Sequence, residues 1–123
     1  GLTSLTYLYV TGSNTISGDI NPIVSDLTEC YITGNNQMAV YTSGATWKNT
    51  RVLIIPAVGY GYDSTEIDNI LIDMAASNTM SGKTITLQGS SAARTAASNT
   101  AVTKLTTTDS GYVHVACTVV TNP

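Results

Sequence analysis

Few side chains in this 123-residue chain are of the kinds that do covalent or acid–base chemistry. The one histidine, His114, has no nucleophile or carboxylate set beside it by sequence. Serines are plentiful, but none stands in a G-x-S-x-G elbow. Nor is there a G-x-G-x-x-G run, a Walker loop, an H-E-x-x-H pair or an EF-hand spacing. Asp63, Glu66, Asp68 and Asp73 lie close enough along the chain to raise the question of a metal site. A plainer reading explains them: Asp63 and Glu66 have capping-box spacing, and acids near a helix start satisfy amides and the dipole. No carboxylate pair is marked for glycoside hydrolysis. The chain therefore reads as a non-enzyme that needs no cofactor and holds no metal. What it offers instead is tyrosine: Tyr7, Tyr9 and Tyr31 on alternating stretches, and Tyr60 and Tyr62 in the glycine loop Ala57-Val-Gly-Tyr-Gly-Tyr.

The element that positions the first three is a recurring frame. Leu27-Thr-Glu-Cys-Tyr-Ile-Thr-Gly-Asn35 fits L-x-x-L-x-L-x-x-N, a short strand whose alternate side chains enter a stacked core while the Asn closes the turn. Leu5, Leu8, Val10 and Ser13 repeat it 22 residues upstream. Downstream by 23 come Thr50, Leu53, Ile55 and Val58, then Ile85, Leu87 and Ser90 after 32, and Cys117, Val119 and Asn122 after 32 more. Five parallel strands in one stack follow from this; the competing arrangement is an antiparallel sandwich of five or more strands.

On these residues the chain resembles the leucine-rich repeat family, in the irregular form found in bacterial surface proteins and in phage tail and other virion proteins. The likeness is carried by Leu5-Thr-Tyr-Leu-Tyr-Val-Thr-Gly-Ser, Leu27-Thr-Glu-Cys-Tyr-Ile-Thr-Gly-Asn, Ile67-Asp-Asn-Ile-Leu-Ile-Asp-Met-Ala-Ala and Gly82-Lys-Thr-Ile-Thr-Leu-Gln-Gly. The resemblance implies an α/β solenoid, a scaffold and an extracellular or virion setting rather than a chemistry. Residues 1–123 would form one leucine-rich-repeat domain. Gly1-Leu2 falls in the middle of a repeat turn, so a fragment or the C-terminal part of a longer chain or assembly is expected.

The frame makes further expectations concrete. Extended return paths follow the first two strands, with Ile16, Ile20 and Ile23 available to face inward and Trp47 serving as core filler in a chain without Phe. Helices over about 64–76 and 95–105 lengthen the later turns, with inward stripes of Ile67, Ile70, Leu71 and Met74, then Ala97, Ala101, Val102 and Leu105. Arg51-Val-Leu-Ile-Ile-Pro is apolar on both faces, so a local loop or a neighbouring subunit covers Val52 and Ile54. From Tyr112 to Val120 strict alternation places Val113, Val115, Cys117 and Val119 inward and His114 outward. Three turns of about 4.8 Å would separate Cys30 and Cys117 by about 14 Å, beyond the roughly 7 Å that a disulfide spans, so two free buried thiols are expected.

Charged residues are only 11% of the chain and Thr, Ser, Asn and Gly supply the surface. Net charge is -3 and the five basic residues are dispersed, which speaks against nucleic acid as a partner. No apolar run is long enough for membrane insertion by a helix. The outward strand positions would form ladders, Tyr9, Tyr31, Ile54, Thr86 and Thr118 beside Tyr7, Glu29, Val52, Thr84 and Ala116. Tyrosines there suit a host or cell-surface protein or glycan, although tyrosine is also simply a good strand former. Two functions remain open: attachment through the strand face, with Tyr7, Tyr9, Glu29 and Tyr31 foremost, or structural assembly as a homo-oligomer through an open stack end and the apolar strand 51–56.

Overall fold

The structure is a computed structural model that describes residues 5–108 and 114–123, apart from the side chains at 14, 15, 36 and 37. Gly1-Leu2 and the Tyr112 and Val113 positions of the expected last strand lie outside the described residues. The described residues form six strands: β1 (Tyr7–Val10), β2 (Ser13–Asp19), β3 (Glu29–Val40), β4 (Arg51–Pro56), β5 (Thr84–Leu87) and β6 (Thr118–Thr121). The order across the sheet is β1-β3-β4-β5-β6, every pairing is parallel, and β2 runs parallel to the C-terminal half of β3. The fold is therefore α/β with a five-strand parallel sheet, and the antiparallel sandwich is ruled out.

Parallel neighbours need crossover connections, and these change in kind along the chain. β2 and a 3-10 helix (Asn21–Asp26) lie between β1 and β3, and the second half of β3 with a loop leads to β4. α1 (Ser64–Ser77) joins β4 to β5, and α2 (Asn99–Thr106) joins β5 to β6. The first helix agrees with the expected 64–76. The second starts later than expected, because Ala96–Ser98 forms a 3-10 turn first.

All inward side chains meet in one core. Val10, Cys30, Ile32, Val52, Ile54, Ile85 and Leu87 pack from the sheet against Ile67, Ile70, Leu71, Met74 and Leu105 from the helices, with Ile20, Met38 and Trp47 from the connections. Ile16 does not join them, being half exposed. In the second helix Ala101 and Leu105 are buried, Val102 is partly buried and Ala97 is exposed. Ser98 is buried beside them and donates to Asp68 (2.6 Å).

The register corrects two expectations. Leu8 pairs with Cys30, Cys30 with Val52, Val52 with Ile85 and Ile85 with Val119, so the steps are 22, 22, 33 and 34. Taking the second step as 23 shifts β4 by one residue, and such a slip exchanges the two faces of a strand. Val52 and Ile54 face the core and are covered by this chain's own helices, while Leu53 is half-buried and Ile55 exposed on the outer face. At the other end, β6 spans only Thr118–Thr121, and the preceding residues invert the expected pattern: His114 is buried and Val115 exposed. The His114 ring nitrogens lie against two carbonyls, Nδ1 at 2.7 Å from that of Met80 and Nε2 at 3.1 Å from that of Leu105. Hydrogen bonding to the backbone thus outweighs the alternation pattern there.

A column of hydrogen bonds marks where each strand turns away. The Asn35 N–H donates to the Gly12 carbonyl (2.9 Å), Ala57 to Gly34 (3.0 Å), and Ser90 to Pro56 (3.0 Å). Gly34 has φ +80°, and a Cβ there would stand 2.6 Å from the Gly12 oxygen. Only glycine fits a left-handed corner pressed that close to the one before it.

Candidate functional site

The face of the sheet away from the helices is built by the other half of each alternation. Tyr7 and Tyr9 point outward from β1, Glu29 and Tyr31 from β3, and Arg51 from β4, with Tyr7 level with Glu29 and Glu29 level with Arg51. Tyr7 and Tyr9 are 58% and 52% exposed, which is large for aromatic side chains on a strand. The Tyr9 and Tyr31 rings meet edge to face, with centroids 4.7 Å apart and planes at 64°. The Arg51 guanidinium lies 5.1 Å from the Tyr31 centroid and donates to Glu29 at 2.8 Å. Both arms of that ion pair are partly solvated, so it adds at most about 1 kcal/mol to stability. Its larger effect is geometric. Tyr31 is held between Tyr9 and Arg51, and the two charges that the described residues place on the outer face of the five-strand sheet cancel.

Tyr60 and Tyr62 separate from this group. Tyr62 is 1% exposed, and its hydroxyl donates to the Met38 carbonyl. Burial pushes its phenol well above the usual value, helped by the nearby Cys30 and Glu66. Tyr62 is thus a core residue, unavailable to a partner; the tight seating of Gly61 against the Ser90 carbonyl draws it in. Tyr60 is half-buried and lines a shallow hollow with Ala39, Gly59 and Gly61, away from the strand face.

The acids of the first helix are spent on structure. Asp63 accepts from the Glu66 N–H (2.8 Å), and Glu66 accepts from the Asp63 N–H (3.1 Å), completing the capping box. Glu66 also accepts from the Tyr41 N–H (2.7 Å). Asp68 and Asp73 act otherwise than as helix-start acids. Asp68, 4% exposed, accepts from the Thr95 N–H (3.0 Å) and hydroxyl (2.5 Å) as well as from Ser98. Burial raises its carboxyl pKa, but those bonds from Ser98 and Thr95, with the Arg94 charge, outweigh it and hold the carboxyl below its usual value. Asp73 accepts from the Tyr41 hydroxyl (2.8 Å) and the Gly44 N–H (2.7 Å), and Trp47 Nε1 donates to the same hydroxyl (2.9 Å). Asp19 is held low in the same way, burial raising it and bonds from Thr42 and Asn21 lowering it more. With Lys48–Asp26 (3.3 Å) and Arg51–Glu29, every described carboxylate side chain has a protein partner.

The two thiols are free and buried, on β3 and just before β6, with β4 and β5 between them. Burial pushes Cys30 up to about 12. Elsewhere the described residues form a groove of ≈ 470 Å³ beside Arg94, Asn99 and Asn122 and an apolar one of ≈ 360 Å³ between Ile72, Ala76 and Ala101. Among the described residues no helix is long and apolar enough to cross a membrane.

Compared with protein-family models, curated proteins and solved structures, the chain matches none. The outer strand face is thus the candidate site on its own geometry. Arg51 is the member that sequence reasoning missed, displaced by the assumed 23-residue step. A signal was present: residues 7, 29 and 51 keep one constant spacing, as do Gly12, Gly34 and Pro56.

Proposed function

We propose that this chain is a non-enzymatic recognition domain of leucine-rich-repeat type, a solenoid segment of a virion fibre, phage tail or bacterial surface protein. It attaches to a partner through the outer strand face. The observation that carries this reading is the Tyr9–Tyr31–Arg51–Glu29 cluster, aromatic, electrically balanced and presented on rigid strands. Preorganised tyrosines give contact area at low entropic cost. The satisfaction of each described carboxylate inside the protein favours recognition over hydrolysis. Labelled chain applied to a panel of bacterial cells tests it: at least one strain should retain it, and Tyr9→Ala with Tyr31→Ala should abolish retention. Retention unchanged by the pair would move the site elsewhere.

The second reading is structural assembly, as a homo-oligomer or part of a larger particle. What supports it is the exposure of Ile55 and Val58, the latter 91% exposed, together with β1 and β6 each having a neighbour on one side only among the described residues. Sedimentation at increasing concentration separates the two, since assembly predicts a concentration-dependent rise in mass and recognition predicts a constant one.

A further inference from the structure

The chemistry of the strand face narrows the class of partner, and we infer that it is a neutral oligosaccharide. This rests on the reading of the face as a recognition surface. Three observations carry it.

The first is charge. Among the described residues the outer face of the five-strand sheet holds one acid and one base, Glu29 and Arg51, bonded to each other at 2.8 Å. A face so balanced has no surplus with which to attract an anionic glycan, a nucleic acid or a strongly charged protein patch. The second is the set of polar groups. Beyond the tyrosines the face crosses the apolar Leu53 and Ile55 of β4 and continues across β5 and β6 as Thr84, Thr86 and Thr118, level with Glu29 and Tyr31 through the register. Hydroxyls that both donate and accept match the hydroxyls of a sugar, while exposed tyrosine rings offer flat apolar surface to the C–H face of a pyranose.

The third is size. The strands of the face are paired over four to six residues, a rise of about 13–20 Å, and five strands span about 24 Å, so the face covers about 300–480 Å² in projection. A standard protein interface buries about 800 Å² on each partner, more than this projected area. A chain of a few sugar rings fits within it and lies along the line from Tyr9 through Tyr31 and over Leu53 to Thr86.

Isothermal titration with four neutral hexaoses (cellohexaose, mannohexaose, xylohexaose and chitohexaose) tests this, with polygalacturonate as the anionic comparison. At least one hexaose should bind, with affinity lowered about tenfold or more by Tyr31→Ala and changed little by Tyr31→Phe, which keeps the ring. Affinity should hold within about twofold between low and high salt. Unchanged thermal midpoints establish that the variants are folded. If no hexaose binds, yet cells are still retained and lose retention with Tyr9→Ala and Tyr31→Ala, the sugar assignment is overturned and the attachment surface stands. Binding of polygalacturonate alone overturns it as well. A hexaose bound equally by wild type and by the double variant overturns both, as does binding of neither hexaose nor cell.

Discussion

Gly34→Ala is the sharpest single perturbation of this fold, because the structure supplies its own control. Gly34 (φ +80°) and Gly12 (φ +73°) occupy equivalent corners in adjacent strands, but a Cβ at Gly12 meets nothing within 4 Å. At Gly34 it meets the Gly12 oxygen at 2.6 Å and nitrogen at 3.0 Å. Each alanine carries the left-handed penalty of about 1–2 kcal/mol. Only Gly34→Ala must also prise the corners apart, weakening the Asn35–Gly12 and Ala57–Gly34 bonds, at about 1 kcal/mol for each. Gly34→Ala should therefore cost about 3–4 kcal/mol, and Gly12→Ala about 1–2 kcal/mol. Trp47, fully buried and bonded to Tyr41, reports unfolding by fluorescence in urea. With a slope of about 1.5 kcal/mol per molar, the two midpoints should differ by more than about 1 M. Equal midpoints would show that the strands are not seated corner on corner, and the register argument would go with them.

Asp68→Asn should lose about 2 kcal/mol near neutrality, since a neutral amide cannot accept equally from Thr95 and Ser98. Because the folded carboxyl titrates below its unfolded value of 3.8, its contribution is complete above that pH and lost as pH falls through the lower folded value. Wild type and variant should converge in acid, as urea titrations across pH can check. A thiol reagent should label Cys30 and Cys117 about 100-fold more slowly in the native chain than in denaturant, fast native labelling being the contrary result. Asp63→Ala should remove about 1 kcal/mol through loss of the α1 cap, measured by the same urea transition.

The parallel ladder was legible because Leu8, Val10, Cys30 and Ile32 alternate cleanly with polar partners at a fixed spacing. The start of α1 was legible because Asp63 and Glu66 are a local signal. β4 was not, and the reason is physical: in Val52-Leu53-Ile54-Ile55 every side chain is apolar, so periodicity cannot say which face is inside. The deciding residue was Arg51, which continues the line of Tyr7 and Glu29. His114 misled for another reason, since its burial depends on carbonyls of Met80 and Leu105, 34 and 9 positions away. The strand-face candidates Tyr7, Tyr9, Glu29 and Tyr31 emerged from local alternation. Tyr62, in a loop without alternation, carried no local sign of its burial.

The unequal steps of the ladder have an engineering consequence. From β4 onward each step grows from 22 to 33 or 34 residues, yet the strands stay in parallel register and the bond from Ser90 to Pro56 continues the corner column. The whole increment is accommodated in the α1 and α2 connections. Length is therefore tightly policed on one flank of the molecule and freely negotiable on the other. A foreign loop or affinity tag spliced into a connection should leave the tyrosine face undisturbed, whereas one residue added within β3 or β4 would scramble it.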